Sequence, residues 1–588
     1  MGRNSIEMPD VVGCDEWGDF TTETQRHGEK LKTDISLVLQ NTQHIYDLVG
    51  LCAEFGVEKA VVCPGSRCAP LLIGFGKHPN IETISVTDER SAGFMALGLA
   101  QQSGNPVVLV CTSGTAAQNF APAITEAFYQ HVPLIVLTAD RPPEWIDQWD
   151  GQTIHQEKLY EPHVKGSFIY DEENLDVGGS ALGLALEAAM GPVHLNIPIE
   201  EPFYPESLEE VQIATKGTRF TKEKISKIGK TVLDEFESLL NDSEKVMILG
   251  GQMAPNEELV DILNQFDVNV VGDVISNLHG VENVIKSSGL IFNTKDDLLA
   301  PDFLITFGRS IISKNLKLYL RKHKPKTHWH IGEGMVGDPF QSLTKTLATT
   351  PITFFTEWVK IIATKGTKIL NKKSDYLTLF LNEQKSVIKK FNSELEELSF
   401  NYFSAGRKEI QLLPEKSVLH LGNSMPIRIA NFIGVNDPTI DIWCNRGTSG
   451  IDGVVSTAVG HALAEPNRKH TLIIGDLSFF YDRNGLWLNH EFPTNLQIVI
   501  LNDSGGGIFN MIPGPSKQNG LTYLFTTPHK HTAELTAQEF NMDYRSATSL
   551  EEISEWSSCI LEIFTDMKIN TETFKEIATK GTEDTKSN

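Results

Sequence analysis

Leu472-Ile473-Ile474-Gly475-Asp476-Leu477-Ser478 and Ile498-Val499-Ile500-Leu501-Asn502-Asp503-Ser504-Gly505-Gly506-Gly507 carry one pattern twice. Each is a short apolar run that stops at an aspartate beside glycine. Apolar runs of this length, bounded by turn residues, read as buried strands. Two neighbouring strands are therefore expected to end in carboxylates. Hard cations that bridge a diphosphate need carboxylate oxygens and a backbone able to approach phosphate closely. Either aspartate alone reads more readily as the cap of a helix that follows a strand. Together they point to a cofactor-dependent enzyme.

The same organisation recurs upstream. Ala60-Val61-Val62 leads to Pro64-Gly65-Ser66-Arg67, and Thr83-Ile84-Ser85-Val86 to Asp88-Glu89-Arg90. Val107-Val108-Leu109-Val110 leads to Thr112-Ser113-Gly114-Thr115, and Leu134-Ile135-Val136-Leu137 to Asp140-Arg141-Pro142-Pro143. Short buried strands followed by glycine turns and helices predict a parallel α/β sheet, which binds ligands at its strand C-termini. The expected divisions are a polar extension over 1–38, an α/β domain over 39–212, and a central α/β domain over 213–400. The central domain closes with a Lys-rich helical segment from about 356. A third α/β domain over 401–568 and a polar tail over 569–588 complete the chain. The hexapeptide Ile-Ala-Thr-Lys-Gly-Thr starts at Ile213, Ile362 and Ile577; its spacing is unequal, so it is no solenoid period, and no function is attached to it.

The chain has 588 residues, 40% hydrophobic and 22% charged, with a formal net charge of −25. Such an acidic protein repels nucleic acid and anionic membranes, and any anionic ligand must be held by particular Arg and Lys residues. Seven scattered cysteines without a CxxC pair read as reduced thiols of a cytoplasmic protein. No signal peptide and no run long enough for a membrane span is visible.

The strand–Gly-Asp–helix–strand–Asn-Asp–glycine arrangement resembles the diphosphate-metal motif of thiamine-diphosphate enzymes. Leu477 departs from the glycine common there. Further segments narrow the resemblance: Pro64-Gly65-Ser66-Arg67, Thr112-Ser113-Gly114-Thr115-Ala116, Thr138-Ala139-Asp140-Arg141-Pro142-Pro143-Glu144, Gly422-Asn423-Ser424, Asn445-Arg446-Gly447-Thr448-Ser449-Gly450-Ile451-Asp452-Gly453 and Gly505-Gly506-Gly507-Ile508-Phe509. Over about 40–565 the chain resembles the 2-succinyl-5-enolpyruvyl-6-hydroxy-3-cyclohexene-1-carboxylate (SEPHCHC) synthases, the MenD family of menaquinone biosynthesis.

The resemblance implies three doubly wound parallel-sheet α/β domains: pyrimidine-binding, central and diphosphate-binding. It implies thiamine diphosphate with Mg²⁺ or Mn²⁺ held by Asp476, Asp503 and the Gly505 carbonyl. Leu477, Ser478, Gly506, Ile451, Ile508 and Phe509 are expected around the cofactor. Glu89 is expected to be the catalytic carboxylate that bonds the aminopyrimidine, with Asp88 as its neighbouring competitor. The implied reaction decarboxylates 2-oxoglutarate and adds the succinyl carbanion to isochorismate in a 1,4-addition. Arginine suits such carboxylate substrates because its planar fork binds them in bidentate fashion. Asn423, Ser424, Arg428 and Arg446 are expected near 2-oxoglutarate, with Arg428 one helical turn from Ser424. Ser66, Arg67, Arg141, Gln152 and Lys314 are expected around isochorismate. In Ser313-Lys314-Asn315 the lysine is kept, while an arginine common in the family at 315 is not. A solvated or salt-bridged role competes for each arginine taken alone. No histidine is required; His155 and His420 are expected to be structural or surface residues. Because the cofactor lies between two chains in this family, a homodimer or dimer of dimers is expected. The competing functions are another thiamine-diphosphate 2-oxo acid carboligase or decarboxylase, and a non-catalytic binding subunit.

Overall fold

A computed structural model describes residues 42–205, 208–213, 228–293, 296–365, 375–397, 399–488, 492–512, 514–518, 520 and 522–579. The expected 1–38 extension lies outside them, as does part of each copy of the repeated hexapeptide.

Three parallel sheets form the frame. The first contains β1 (Lys59–Val62), β2 (Glu82–Ser85), β3 (Val107–Cys111), β4 (Leu134–Asp140), β5 (Ser167–Ile169) and β6 (Val193–Pro198), in the order β2-β1-β3-β4-β6-β5. The central sheet contains β7 (Val246–Gly250), β8 (Asn269–Gly272), β9 (Phe303–Phe307), β10 (Thr327–Ile331) and β11 (Lys345–Leu347), in the order β11-β10-β9-β7-β8. The third contains β12 (Val418–Leu421), β13 (Asp441–Trp443), β14 (His470–Gly475), β15 (Leu496–Asn502), β16 (Tyr544–Ala547) and β17 (Ile560–Phe564), in the order β13-β12-β14-β15-β17-β16. The first and third sheets are thus wound identically. In both, the order turns back between the first and third strands, where an open α/β sheet forms a ligand crevice. Asn423 and Asp476 follow the two strands that flank this point in the third sheet.

Six helices place the site: α1 (Glu89–Ser103), α2 (Ala121–Gln130), α3 (Lys314–Lys322), α4 (Met425–Ile433), α5 (Val454–Ala464) and α6 (Asp476–Tyr481). Residues 91–100 of α1 and 454–462 of α5 are buried on every side. A helix without a polar face belongs inside a core, and here one apolar cluster runs from the first sheet through both helices into the third. The two helices meet backbone to backbone. A β-carbon on Gly98 would sit 2.2 Å from the Thr457 carbonyl oxygen, and one on Gly460 would sit 2.2 Å from that of Met95.

The C-terminal reading needs correction. Residues 569–579, expected as polar tail, belong to a helix over Met567–Thr579. Asn570 and Thr573 are buried there. The Asn570 side chain donates to the Thr565 hydroxyl at 2.9 Å and accepts the Tyr402 N–H at 2.9 Å. Polar residues that satisfy each other can enter a core, so polarity alone misjudged this segment. The described cysteines are all buried and free, and no described helix is long and apolar enough to cross a membrane.

Asp482 anchors the start of α5. Its carboxylate accepts the Ser456 N–H at 2.8 Å and the Ser456 hydroxyl at 3.0 Å. Burial pushes its carboxyl up to about 7, against these bonds. A folded value above the unfolded one, about 3.9, means that stability is fully present below pH ~4 and lost as pH rises through ~7. Asp482→Asn, which can still bond Ser456, should therefore melt progressively higher relative to the wild-type chain between pH 5.5 and pH 8. A melting-temperature difference that stays constant across that range would contradict the assignment.

Candidate active site

At the C-terminal edge of the third sheet, β14 and β15 pair in parallel register, with Gly475 opposite Leu501. The next residues in the turns include Asp476 and Asp503. Asp476 opens α6; its Oδ1 accepts the Leu477 N–H at 2.7 Å, and its Oδ2 accepts the Gly505 N–H at 2.9 Å. His529 Nε2 lies 3.2 Å from that second oxygen. Asp503 Oδ2 is reached by the Asn570 amide only at 3.5 Å, and Asp503 Oδ1 is buried with no partner. Burial pushes Asp476 up to about 6. Burial, and then the Asp476 charge, push Asp503 up to about 7.

Two buried carboxylates that repel one another, one with an orphaned oxygen, fit a hard divalent cation. Among the described residues no three His, Cys, Asp or Glu groups assemble a cage. Backbone carbonyls, phosphate oxygens and water would therefore complete the coordination. The glycine turn is shaped for this. Gly505 has φ +153°, and a β-carbon there would meet the Thr526 carbonyl oxygen at 2.5 Å; one on Gly507 would meet Asp503 Oδ2 at 2.3 Å. Gly506, Ile508 and Phe509 continue this turn, and the Ser478 hydroxyl donates to the Ile451 carbonyl at 2.6 Å. The structure thus gathers Asp476, Leu477, Ser478, Asp503, Gly505, Gly506, Ile508, Phe509 and Ile451 into one region.

A second group is bonded to the 445–453 loop. The Asn423 amide donates to the carbonyls of Asn445 and Gly450, each at 2.7 Å, and its oxygen accepts from Arg446 Nη1 at 3.2 Å. Arg428 Nη1 donates to the Ser424 carbonyl one turn earlier. Ser424 caps no backbone N–H with its side chain and has φ +74°, a strained value for a residue bearing a β-carbon. Arg446 Nε is buried without a partner. Burial, then the Arg446 charge, lower the pKa of Arg428. Neither arginine forms an ion pair among the described residues. This arrangement could hold an anion.

In the first domain the structure separates Asp88 from Glu89. Asp88 is the N-cap of α1, accepting the N–H groups of Arg90 at 3.0 Å and Ser91 at 3.2 Å. Its other oxygen takes the Asn484 amide at 2.8 Å. Glu89 is relieved of capping, and its recorded hydrogen bond is a long 3.5 Å contact from Asn119. No hydrogen bond joins Glu89 to Asp476 or Asp503 within the chain. Ser66 is exposed. Arg67 is buried, donating to the Ile199 carbonyl with Nε unpaired and Phe203 4.8 Å beneath its guanidinium. Arg141 donates to the Gly151 carbonyl at 2.6 Å and pairs with Asp150 at 3.3 Å. Gln152 is exposed, with its backbone against Gly114. Lys314 is exposed at the start of α3 and meets none of the other expected residues by hydrogen bond or ion pair. Of the two histidines set aside, His155 is exposed, whereas His420 is buried and stacks on His470 with ring centres 5.4 Å apart.

Several contributors left no mark in the sequence. Glu126, on α2 of the first domain, is buried beneath the Arg446 turn of the third. Its oxygens accept the N–H groups of Gly447 at 2.7 Å and Thr448 at 2.6 Å, the Thr448 hydroxyl, and the Gln130 amide. His529, Tyr402 and Asn570 reach the aspartate pair from distant segments. Only chain reversal over hundreds of residues brings Glu126 to Gly447, so no local periodicity could have announced it.

The chain is similar to known proteins. Residues 46–159 match the family "Thiamine pyrophosphate enzyme, N-terminal TPP binding domain". The chain is 39% identical over 560 residues to 2-succinyl-5-enolpyruvyl-6-hydroxy-3-cyclohexene-1-carboxylate synthase of Cytophaga hutchinsonii, covering 91% of this chain and 98% of that one. It is 39% identical over 543 residues to the synthase of the same name from Flavobacterium psychrophilum, covering 89% and 96% respectively. It is 37% identical over 541 residues to that of Bacteroides fragilis, covering 87% and 92%.

Glu126→Gln tests the support of the Arg446 turn. The amide would set an N–H against one of the N–H groups that the carboxylate now accepts. Hydrogen exchange at Gly447 and Thr448 should quicken by about tenfold or more, the scale of a lost charge-assisted bond. Unchanged protection at those two amides would show that Glu126 does not hold the turn.

Proposed function

The chain belongs to the 2-succinyl-5-enolpyruvyl-6-hydroxy-3-cyclohexene-1-carboxylate synthase family, and from this we propose that it decarboxylates 2-oxoglutarate and adds the succinyl unit to isochorismate, releasing CO₂. In this reading it is a cytoplasmic thiamine-diphosphate-dependent transferase of menaquinone biosynthesis, with Mg²⁺ or Mn²⁺. The observation that carries the substrate class is the pair Arg428 and Arg446, two partly buried cations that form no ion pair among the described residues, with Arg446 Nε left unbonded.

Thiamine diphosphate, when bound, supplies a carbon nucleophile and an electron sink. The chain's own residues hold and orient. Asp476, Asp503 and the Gly505 carbonyl would hold the metal, with Leu477, Ser478 and Gly506 beside the diphosphate. Glu89, free of helix capping, would bond the aminopyrimidine. Ile451, Ile508 and Phe509 offer apolar surface, which limits water around the reacting atoms. Arg428 and Arg446, with Asn423 and Ser424 setting their loops, would take the distal carboxylate of 2-oxoglutarate. Ser66, Arg67, Arg141, Gln152 and Lys314 are the proposed contacts of isochorismate.

An assay with both substrates, thiamine diphosphate and Mg²⁺ should yield an adduct with the mass of the succinyl product. Arg428→Ala should lower kcat/KM for 2-oxoglutarate by about a hundredfold or more, the scale of a lost charged hydrogen bond at a buried site. An indifferent Arg428→Ala enzyme would remove the dicarboxylate assignment.

We further propose a homodimer, alone or doubled into a tetramer, whose sites each combine Glu89 of one chain with Asp476 of another. Support comes from the resemblance to thiamine-diphosphate enzymes, in which the cofactor lies between the pyrimidine domain of one chain and the diphosphate domain of another. Glu89→Gln and Asp476→Ala, each inactive alone, should then recover about a quarter of wild-type activity when co-expressed, the share expected from statistical mixing in a two-fold assembly. No recovery in verified mixed assemblies would refute shared sites.

A further inference from the structure

A third cation lies within electrostatic reach of the arginine pair. Lys317 lies on α3 of the central domain, three residues after Lys314, and is partly buried. Its Nζ donates to the Ile311 carbonyl at 3.1 Å and to nothing else among the described residues.

The placement of Lys317 follows from a clamp between two domains. Asp273 accepts the N–H groups of Ile312 and Ser313 on one carboxylate oxygen. Its other oxygen accepts the Ser288 hydroxyl at 2.7 Å and the Asn431 amide at 3.3 Å. Asn431 stands on α4, three residues from Arg428, and its own oxygen accepts the Val274 N–H at 3.1 Å. Ile312 packs against the apolar cluster that contains Met425, Ile427 and Ile429 of α4. The start of α3 is thus fixed against the helix that carries Arg428. Lys317 comes within electrostatic reach of both Arg446 and Arg428, and burial together with these charges lowers its pKa.

The nearby Asp273 carboxylate offsets part of this charge but forms no ion pair with Lys317. All four bonds that Asp273 accepts come from other donors. Arg321, a third positive neighbour of Lys317, is turned to the Pro339 carbonyl at 2.6 Å. Asn315 is likewise turned inward, donating to the Gly289 carbonyl at 2.7 Å. Three like charges, each partly buried and none in an ion pair among the described residues, repel one another and favour an anion that joins them. A lysine suits the third position, since its flexible stem lets a compact charge leave a backbone carbonyl for a carboxylate.

We propose that Lys317 is a specificity-determining residue that joins Arg428 and Arg446 in binding the distal carboxylate of the 2-oxo acid substrate. The proposal rests on the dicarboxylate reading above and adds to it a residue from the central domain.

The test compares Lys317→Met and Lys317→Arg in the full chain, loaded with thiamine diphosphate and Mg²⁺. Turnover of 2-oxoglutarate is set against that of 2-oxopentanoate, which lacks the distal carboxylate. Lys317→Met should raise KM for 2-oxoglutarate by about tenfold, the cost of one partly buried charged contact, with kcat within about twofold. Preference over 2-oxopentanoate should fall by the same factor, KM for isochorismate should hold, and Lys317→Arg should restore most of the loss. An unchanged KM, a change confined to isochorismate, or equal loss for both 2-oxo acids would overturn the proposal. Should the wild-type chain not turn over 2-oxoglutarate, the functional reading fails, and thermal shift then tests Lys317 separately. Glutarate, but not pentanoate, should stabilise the wild-type protein, and Lys317→Met should abolish that shift; a shift retained in full would refute the role.

Discussion

The architecture depends on one close crossing. Gly98 and Gly460 let α1 and α5 touch main chain to main chain, with space for no side-chain atom between them. Glu89 stands at the start of α1, and the 445–453 loop runs into the start of α5. The crossing therefore fixes the first domain's carboxylate relative to the loop whose Gly450 and Ile451 carbonyls accept from Asn423 and Ser478. Any residue with a β-carbon at either glycine would push the helices apart and shift both groups together. Because the helices are buried on all sides, the hydrophobic effect presses on the crossing from every direction, and one core serves two domains.

A second level of support is polar. Glu126 reaches from the first domain to hold the Arg446 turn, and Gln130, on the same face of α2, receives the Gln252 amide at 3.0 Å. Gln252 also donates to the Cys444 carbonyl at 2.8 Å. Three domains are thereby tied within a few residues of Arg446. Buried polar ties of this kind are directional, so they set orientation where apolar packing sets only proximity. The Asp273 clamp does the same between the central domain and α4.

The sequence made the strand ends legible because a parallel α/β sheet writes its layout as apolar runs followed by turns. Both aspartates, Glu89 and the arginines follow such runs or the turns beside them. It could not separate Glu89 from Asp88, since both are acidic at a helix start; only the cap geometry does so. Nor did it show that the outer domains are wound alike, because that likeness lies in strand order. Glu126, Lys317 and His529 were invisible for a different reason. Their roles arise from segments that meet in space, and each looks locally like an ordinary helix or loop residue. The helix over Met567–Thr579 was missed because its buried polar residues satisfy one another, which the sequence's polarity conceals.

The charge layout explains why the loop bonded to both groups is neutral where it touches them. Among the described residues Asp476 and Asp503 have no Lys or Arg partner, and Arg428, Arg446 and Lys317 form no ion pair. In a chain of net charge −25, direct pairing of these sets would satisfy both and leave no binding capacity in either. Asn423 sits where such a short circuit would begin. Its amide secures the loop at Asn445 and Gly450, and its oxygen touches Arg446 without cancelling its charge. An aspartate there could accept from Arg446 but could not donate to the two carbonyls. It would also neutralise the guanidinium that the pocket presents. A carboxamide meets both demands at once, holding the loop and leaving both charge sets free for ligands.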